Sequence, residues 1–199
     1  MRQIAFLLGA ALLATCTPTE VPTAGGARAG CSTRAYAEIG GPIRLIDETG
    51  TEVTEADFMG RPTLVYFGFT YCPDVCPMAL VTLDQAIRQL PDGVEAPQTV
   101  LITVDPERDT PEAMARYVGN DAFPDGLKGL TGSPEAVRAA ADAFMADYAR
   151  VDAPESFTEY TMDHTSIIYL MDEEWKLKTF FTHEDTADSI AQCLAQQLD

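Results

Sequence analysis

Cys72 and Cys76 stand four residues apart in Thr70-Tyr71-Cys72-Pro73-Asp74-Val75-Cys76-Pro77. They follow an apolar run, Leu64 to Phe69, rich in β-branched and aromatic residues, which reads as a strand buried on both faces. After them Leu80, Leu83, Ile87 and Leu90 recur on one face of a helix. The pair therefore sits at a strand-to-helix junction, where helix N-terminal N–H groups stabilise a thiolate. Residues four apart in a helix share a side, with Cβ atoms about 5–6 Å apart, so the sulfurs converge. Three chemistries fit: a reversible disulfide, a soft-metal site, or a peroxide-attacking cysteine with its resolving partner. A purely structural disulfide would gain little chain-closure entropy from so short a loop. The C-x-x-x-C spacing is one residue longer than the C-x-x-C of thiol–disulfide exchange enzymes, and the wider bite eases shared coordination of a metal. Asp74, between the cysteines, adds negative charge that helps hold a cation.

The elements around the pair follow from turn and cap signals. Ile43–Asp47 and Thr51–Thr54 flank Glu48-Thr49-Gly50 as a hairpin. Pro77 suits the start of a helix, which Pro91-Asp92-Gly93 stops. Thr99–Val104 is a second buried strand. It runs into Asp105-Pro106-Glu107-Arg108-Asp109-Thr110, where Thr110 caps a helix reaching about Val118. Ser133-Pro134-Glu135 repeats that grammar and opens a helix with Val137, Ala140, Ala141, Phe144 and Tyr148 on its apolar side. A polar loop is expected from about Asp152 to Asp163, then a strand over Ser166–Met171, a turn, and a returning strand over Trp175–Phe181. The last helix opens at Thr186 or Asp185 and turns Ile190, Cys193, Leu194 and Leu198 to one side. Strand–helix–strand followed by an antiparallel hairpin and a helix is the order of an α/β thioredoxin-like fold. The N-terminal hairpin and an extra helix are additions.

Thiolate sulfur selects Cu(I) or Zn(II) over hard cations. A third donor must come from His164 or His183, the chain's two histidines. In a thioredoxin-like sheet the strand after His164 lies beside the strand that leads to the cysteines, and His183 follows the next strand out. That placement favours His164 and leaves His183 as an exposed residue ahead of the last helix. Asp105 falls at a strand's C-terminal edge, where sites gather in such sheets, and Arg108 and Asp109 are expected to pair and shape the loop around the site.

Met1-Arg2-Gln3 and the apolar stretch Ile4–Ala14 form an export sequence too short to span a bilayer. Leu13-Ala14-Thr15-Cys16 resembles a bacterial lipoprotein box, which would lipidate Cys16; Ala27-Arg28-Ala29 offers a cleavage pattern, and an uncleaved anchor is a third option. The expected organisation is a signal over residues 1–15, a Thr/Pro/Ala/Gly-rich flexible tether over 16–39, and a thioredoxin-like domain carrying the cysteine pair over 40–199. The domain would then stand on the periplasmic side of a bacterial inner membrane, tethered by its N-terminus. A net charge of −18, from 31 acidic against 13 basic residues, argues against nucleic-acid binding.

Phe69-Thr70-Tyr71-Cys72-Pro73-Asp74-Val75-Cys76-Pro77, Thr103-Val104-Asp105-Pro106-Glu107-Arg108-Asp109-Thr110-Pro111 and Asp163-His164-Thr165, in that order, resemble the SCO/SenC family. The resemblance implies a thioredoxin-like fold and copper held by Cys72, Cys76 and His164. It also implies delivery of that copper to the CuA centre of cytochrome c oxidase, with oxidase subunit II or another copper chaperone as partner. The family also allows a thiol–disulfide oxidoreductase that keeps the oxidase's copper-ligand cysteines reduced, with Cys72 and Cys76 as the redox pair. A thiol peroxidase ranks last, because such enzymes place Thr three residues before the reactive Cys and Thr70 is two before Cys72. With Cys16 assigned to lipid and Cys72 and Cys76 to metal, Cys31 and Cys193 are expected to form a disulfide in an exported protein; a buried free thiol at Cys193 is the alternative.

Overall fold

In the computed structural model, the described residues are Cys31, 38–155 and 158–198. The signal, Cys16 and almost all of the tether lie outside them. No helix among the described residues is long and apolar enough to cross a membrane.

The hairpin comes first: β1 (Arg44–Asp47) and β2 (Glu52–Thr54) pair antiparallel. Asp47 closes its turn by accepting hydrogen bonds at Oδ1 from the backbone N–H groups of Thr49 and Thr51, 2.9 Å each, and from the Thr49 hydroxyl at 2.6 Å. β3 (Thr63–Gly68) is buried at every position and leads to α1 (Val75–Ile87). β4 (Gln98–Thr103) pairs parallel to β3. Next come α2 (Pro111–Val118), β5 (Lys128–Thr131) and α3 (Pro134–Ala143). Thr110 and Ser133 cap the two helices as their sequences require, accepting from Ala113 N at 3.3 Å and Ala136 N at 3.2 Å. β6 (Tyr148–Asp152) and β7 (Tyr160–His164) form a separate two-stranded sheet. β8 (Ile167–Met171), β9 (Leu177–Thr182) and α4 (Ala187–Gln197) complete the chain.

The main sheet has seven strands in the order β2-β1-β5-β4-β3-β8-β9. β3 is an interior strand, with β4 parallel on one side and β8 antiparallel on the other. This is the thioredoxin-like α/β architecture, with the hairpin β1–β2 added at one edge through β5. Successive strand residues point to opposite faces. Phe67 packs on one face against Phe144 and Tyr169, with ring centroids 5.4 and 6.2 Å away. Its neighbours Tyr66 and Gly68 point to the other face, toward α1 and Cys76.

Three local readings are corrected. α1 begins at Val75 rather than at Cys76 or Pro77. Proline fits there because the first turn's N–H groups have no intrahelical partners. α3 ends at Ala143, so Tyr148 belongs to β6 and not to the helix's apolar side. The loop expected from Asp152 to Asp163 contains most of β7, and β5 is an additional strand.

Candidate metal centre

Each side chain of the site is positioned by a different element. Cys76 lies in the first turn of α1, fully buried. Cys72 lies in the turn before it, half-buried, where its own N–H donates to Phe69 O at 3.2 Å. Asp74, the N-cap residue, makes no side-chain cap bond; the Cys72 sulfur accepts from Cys76 N–H instead, at 3.3 Å. The sulfur thus occupies the place of a capping oxygen, at the positive end of the helix. His164 ends β7 and enters from the opposite side.

The Cys72 and Cys76 sulfurs and a His164 ring nitrogen lie within 4.8 Å of one another. His164 Nε2 is 3.7 Å from Cys76 Sγ. Its Nδ1 is 3.2 Å from the Thr165 carbonyl oxygen, which can only accept. Nδ1 therefore carries the proton, and Nε2 turns its lone pair toward the sulfurs. The imidazole is edged by the rings of Phe69 and Tyr66, 5.8 and 6.3 Å between centroids. His183 is exposed and belongs to no such cluster among the described residues.

The two cysteines differ in acidity. The Cys76 thiol donates to Cys72, which holds the Cys72 pKa well below the usual thiol range against the opposing effect of burial, with help from the Cys76 N–H. The same shared proton, then burial, pushes the Cys76 thiol up. The pair parts with one proton readily and the second with difficulty. Tyr66 Oη is buried beside Cys76, and burial, followed by the charge of Cys76, raises its pKa.

The donor set fits a soft cation. Two thiolates and an imidazole favour Cu(I) or Zn(II) over Mg(II) or Ca(II). Metal–sulfur bonds near 2.3 Å and metal–nitrogen bonds near 2.0 Å at trigonal angles span about 3.7 Å from S to N, and Cys76 and His164 already stand at 3.7 Å.

The expected Arg108–Asp109 pair does not form. Arg108 pairs with Asp105, which the next helical turn of the loop brings beneath it. Asp109 is buried and accepts from Thr70 N at 3.0 Å, Thr70 Oγ1 at 2.6 Å and Thr103 Oγ1 at 2.6 Å. These three donors satisfy the Asp109 carboxyl group, which forms no ion pair among the described residues. The loop therefore acts on the site through Thr70, two residues before Cys72.

Gly68 was not singled out from the sequence. A Cβ there would lie 3.0 Å from Cys76 Sγ, 3.1 Å from Leu101 Cδ1 and 3.2 Å from Tyr66 Cε1. A glycine inside an otherwise apolar strand run is the signal of such a close approach. Cys31 and Cys193 are disulfide-bonded, with Cα atoms 5.0 Å apart, joining the segment before the domain to α4.

A family model described as SCO1/SenC matches residues 32–199. The chain belongs to the SCO1/SenC family. Among relatives, SCO1 homolog 1 of Arabidopsis thaliana is 38% identical over 164 residues, 81% of this chain and 48% of that protein. SenC of Rhodobacter capsulatus is 34% identical over 196 residues, 98% of this chain and 86% of that protein. The chain thus spans about half the length of the Arabidopsis relative. Among solved structures, Arabidopsis thaliana ScoI with copper bound superposes with a TM-score of 0.75 at 38% identity, covering 80% of this SCO1/SenC chain and 97% of that one. Bradyrhizobium japonicum ScoI with copper bound gives 0.69 at 36% identity, covering 79% and 98%.

Proposed function

We propose that this protein binds copper through Cys72, Cys76 and His164 and delivers it to the CuA centre of cytochrome c oxidase during assembly. The observation that carries the reading is the convergence of two sulfurs and an imidazole nitrogen within 4.8 Å, contributed by a helix start and a distant strand end. It is supported by the copper recorded in the Arabidopsis and Bradyrhizobium structures. Copper is cargo here. Two thiolates and one imidazole hold Cu(I) without closing its coordination, so an incoming thiolate can displace the ligands in turn. Cys72, at the half-buried rim, is the first sulfur a partner meets, and Cys76 the last to let go. The partner is oxidase subunit II or another copper chaperone. The domain works outside the cytoplasm, on the periplasmic side of a bacterial inner membrane, held by residues 1–39 with Cys16 as the lipid attachment point. The match to SenC over 196 residues supports an N-terminal region of comparable extent.

A second reading rests on the split acidity of the cysteines. A low-pKa Cys72 beside a protonated Cys76 is suited to thiol–disulfide exchange that keeps the oxidase's cysteines reduced. His164→Ala separates the two. Under the copper reading, the variant loses Cu(I) affinity and oxidase maturation in cells. Unchanged affinity and maturation would favour the reductase.

A further inference from the structure

The hairpin β6–β7 has little to hold it. Among the described residues it pairs with no other strand, and a lone two-stranded ribbon is marginal in water. Nine of its ten residues are intermediate or exposed; only Tyr160 is buried. Yet its last residue is His164. The hairpin must therefore be docked at both ends for His164 to stand over the sulfurs.

The near end is held beside the metal centre. Thr165 N donates to Asp147 O at 2.9 Å, Asp147 N donates to Thr165 Oγ1 at 3.1 Å, and Arg138 donates to Tyr148 O at 3.0 Å with its guanidinium 3.6 Å from the Tyr148 centroid. The far end is gathered around Arg108, with Arg150 of the hairpin also reaching Glu107 at 3.5 Å. Arg108 Nη1 donates to Thr158 O at 3.2 Å and to Tyr160 O at 3.1 Å, while its Nε bonds Asp105. Its guanidinium carbon lies 3.6 Å from the Tyr160 centroid and 4.6 Å from that of Tyr71, the residue before Cys72. Asp105 adds a bond from Tyr160 Oη at 2.9 Å. One guanidinium therefore touches the hairpin that carries His164, the turn that carries Cys72, and the end of β4. A planar fork with a stackable face can meet all of these at once; an ammonium cannot.

We propose that Arg108 is a positioning residue of the metal centre: by docking the far end of β6–β7 against the cysteine turn, it holds His164 at its place over Cys72 and Cys76. It touches no ligand atom and acts through the hairpin. The proposal rests on the copper reading for its affinity arm only.

The test compares wild type, Arg108→Ala, Arg108→Lys, His164→Ala and Arg108→Ala/His164→Ala, each checked for fold by circular dichroism. Hydrogen exchange of the metal-free proteins reads the hairpin directly. Amides of residues 158–164 are expected to exchange at least about tenfold faster in both Arg108 variants, with β3 and β4 unchanged. Cu(I) affinity, by competition with a chromophoric chelator, is expected to fall about 10–100-fold in Arg108→Ala, as for other supports of metal ligands. Because Arg108 acts through His164, the double variant is expected to match His164→Ala within about twofold. Unchanged hairpin exchange, full rescue by lysine, or additive losses in the double variant would each overturn the proposal. Should Arg108→Ala not fold, the lysine variant still decides by exchange. A wild type that binds no Cu(I) would sink the copper reading while leaving the exchange arm intact.

Discussion

Replacing Gly68 with alanine tests how the central strand shapes the site. The added Cβ would sit 3.0 Å from Cys76 Sγ and close to Leu101 and Tyr66, all three of them buried. Overpacking of this kind costs roughly 1–3 kcal/mol. For a domain of this size that lowers Tm by roughly 2–4 °C per kcal/mol. Any displacement of the sulfur moves a ligand of the candidate metal centre. Metal affinity should therefore fall along with stability, by about tenfold or more. Gly129→Ala is the matched control. Its Cβ would meet Val118 Cγ1 at 3.0 Å and Met114 atoms at 3.1 Å, on β5, two strands from β3 and away from the cysteines. Urea melts of the metal-free proteins and Cu(I) competition titrations measure both quantities. Both variants should lose similar stability, and only Gly68→Ala should lose affinity. Equal affinity in the two, at equal loss of stability, would refute the idea that Gly68 sets the position of Cys76.

Other outcomes follow from the same contacts. Iodoacetamide at mildly acidic pH should label Cys72 and spare Cys76, since the Cys72 thiolate persists below the usual thiol range while Cys76 keeps its proton; Cys76→Ala should shift the Cys72 labelling profile to higher pH by removing the donor. Denatured, metal-free protein spanning residues 31–199 should titrate two free thiols, and four would contradict the Cys31–Cys193 bridge. Its removal by Cys193→Ser should cost up to about 5 kcal/mol on the chain-entropy estimate, given a sequence separation of 162 residues, read by urea melts with and without reductant. Asp109→Ala leaves Thr70 N, Thr70 Oγ1 and Thr103 Oγ1 without their acceptor. At about 1–3 kcal/mol for each orphaned group, a loss of less than about 1 kcal/mol in a urea melt would count against that network.

The ligands were legible because their chemistry is rare in the chain: two histidines, and a cysteine pair wedged between a buried strand and an amphipathic helix. The caps Thr110, Ser133 and Thr186 were legible because each is a local bond within three residues. What escaped notice depends on distant partners. β5 is four residues long with a glycine inside, and it is a strand only because β4 and β1 flank it. β6–β7 buries just Tyr160, so it shows no alternation for a pattern to reveal. Arg108 and Asp109 are sequence neighbours; in the fold one faces the hairpin and the other the core, and each finds its partners elsewhere.

The central claim is that one copper ion is held by Cys72, Cys76 and His164. X-ray absorption of the protein loaded with Cu(I) tests it most directly. The expected result is one copper per chain with two sulfurs and one nitrogen in its first shell, and loss of the nitrogen in His164→Ala. A shell of sulfur alone in wild type, or a spectrum unchanged by His164→Ala, would contradict it.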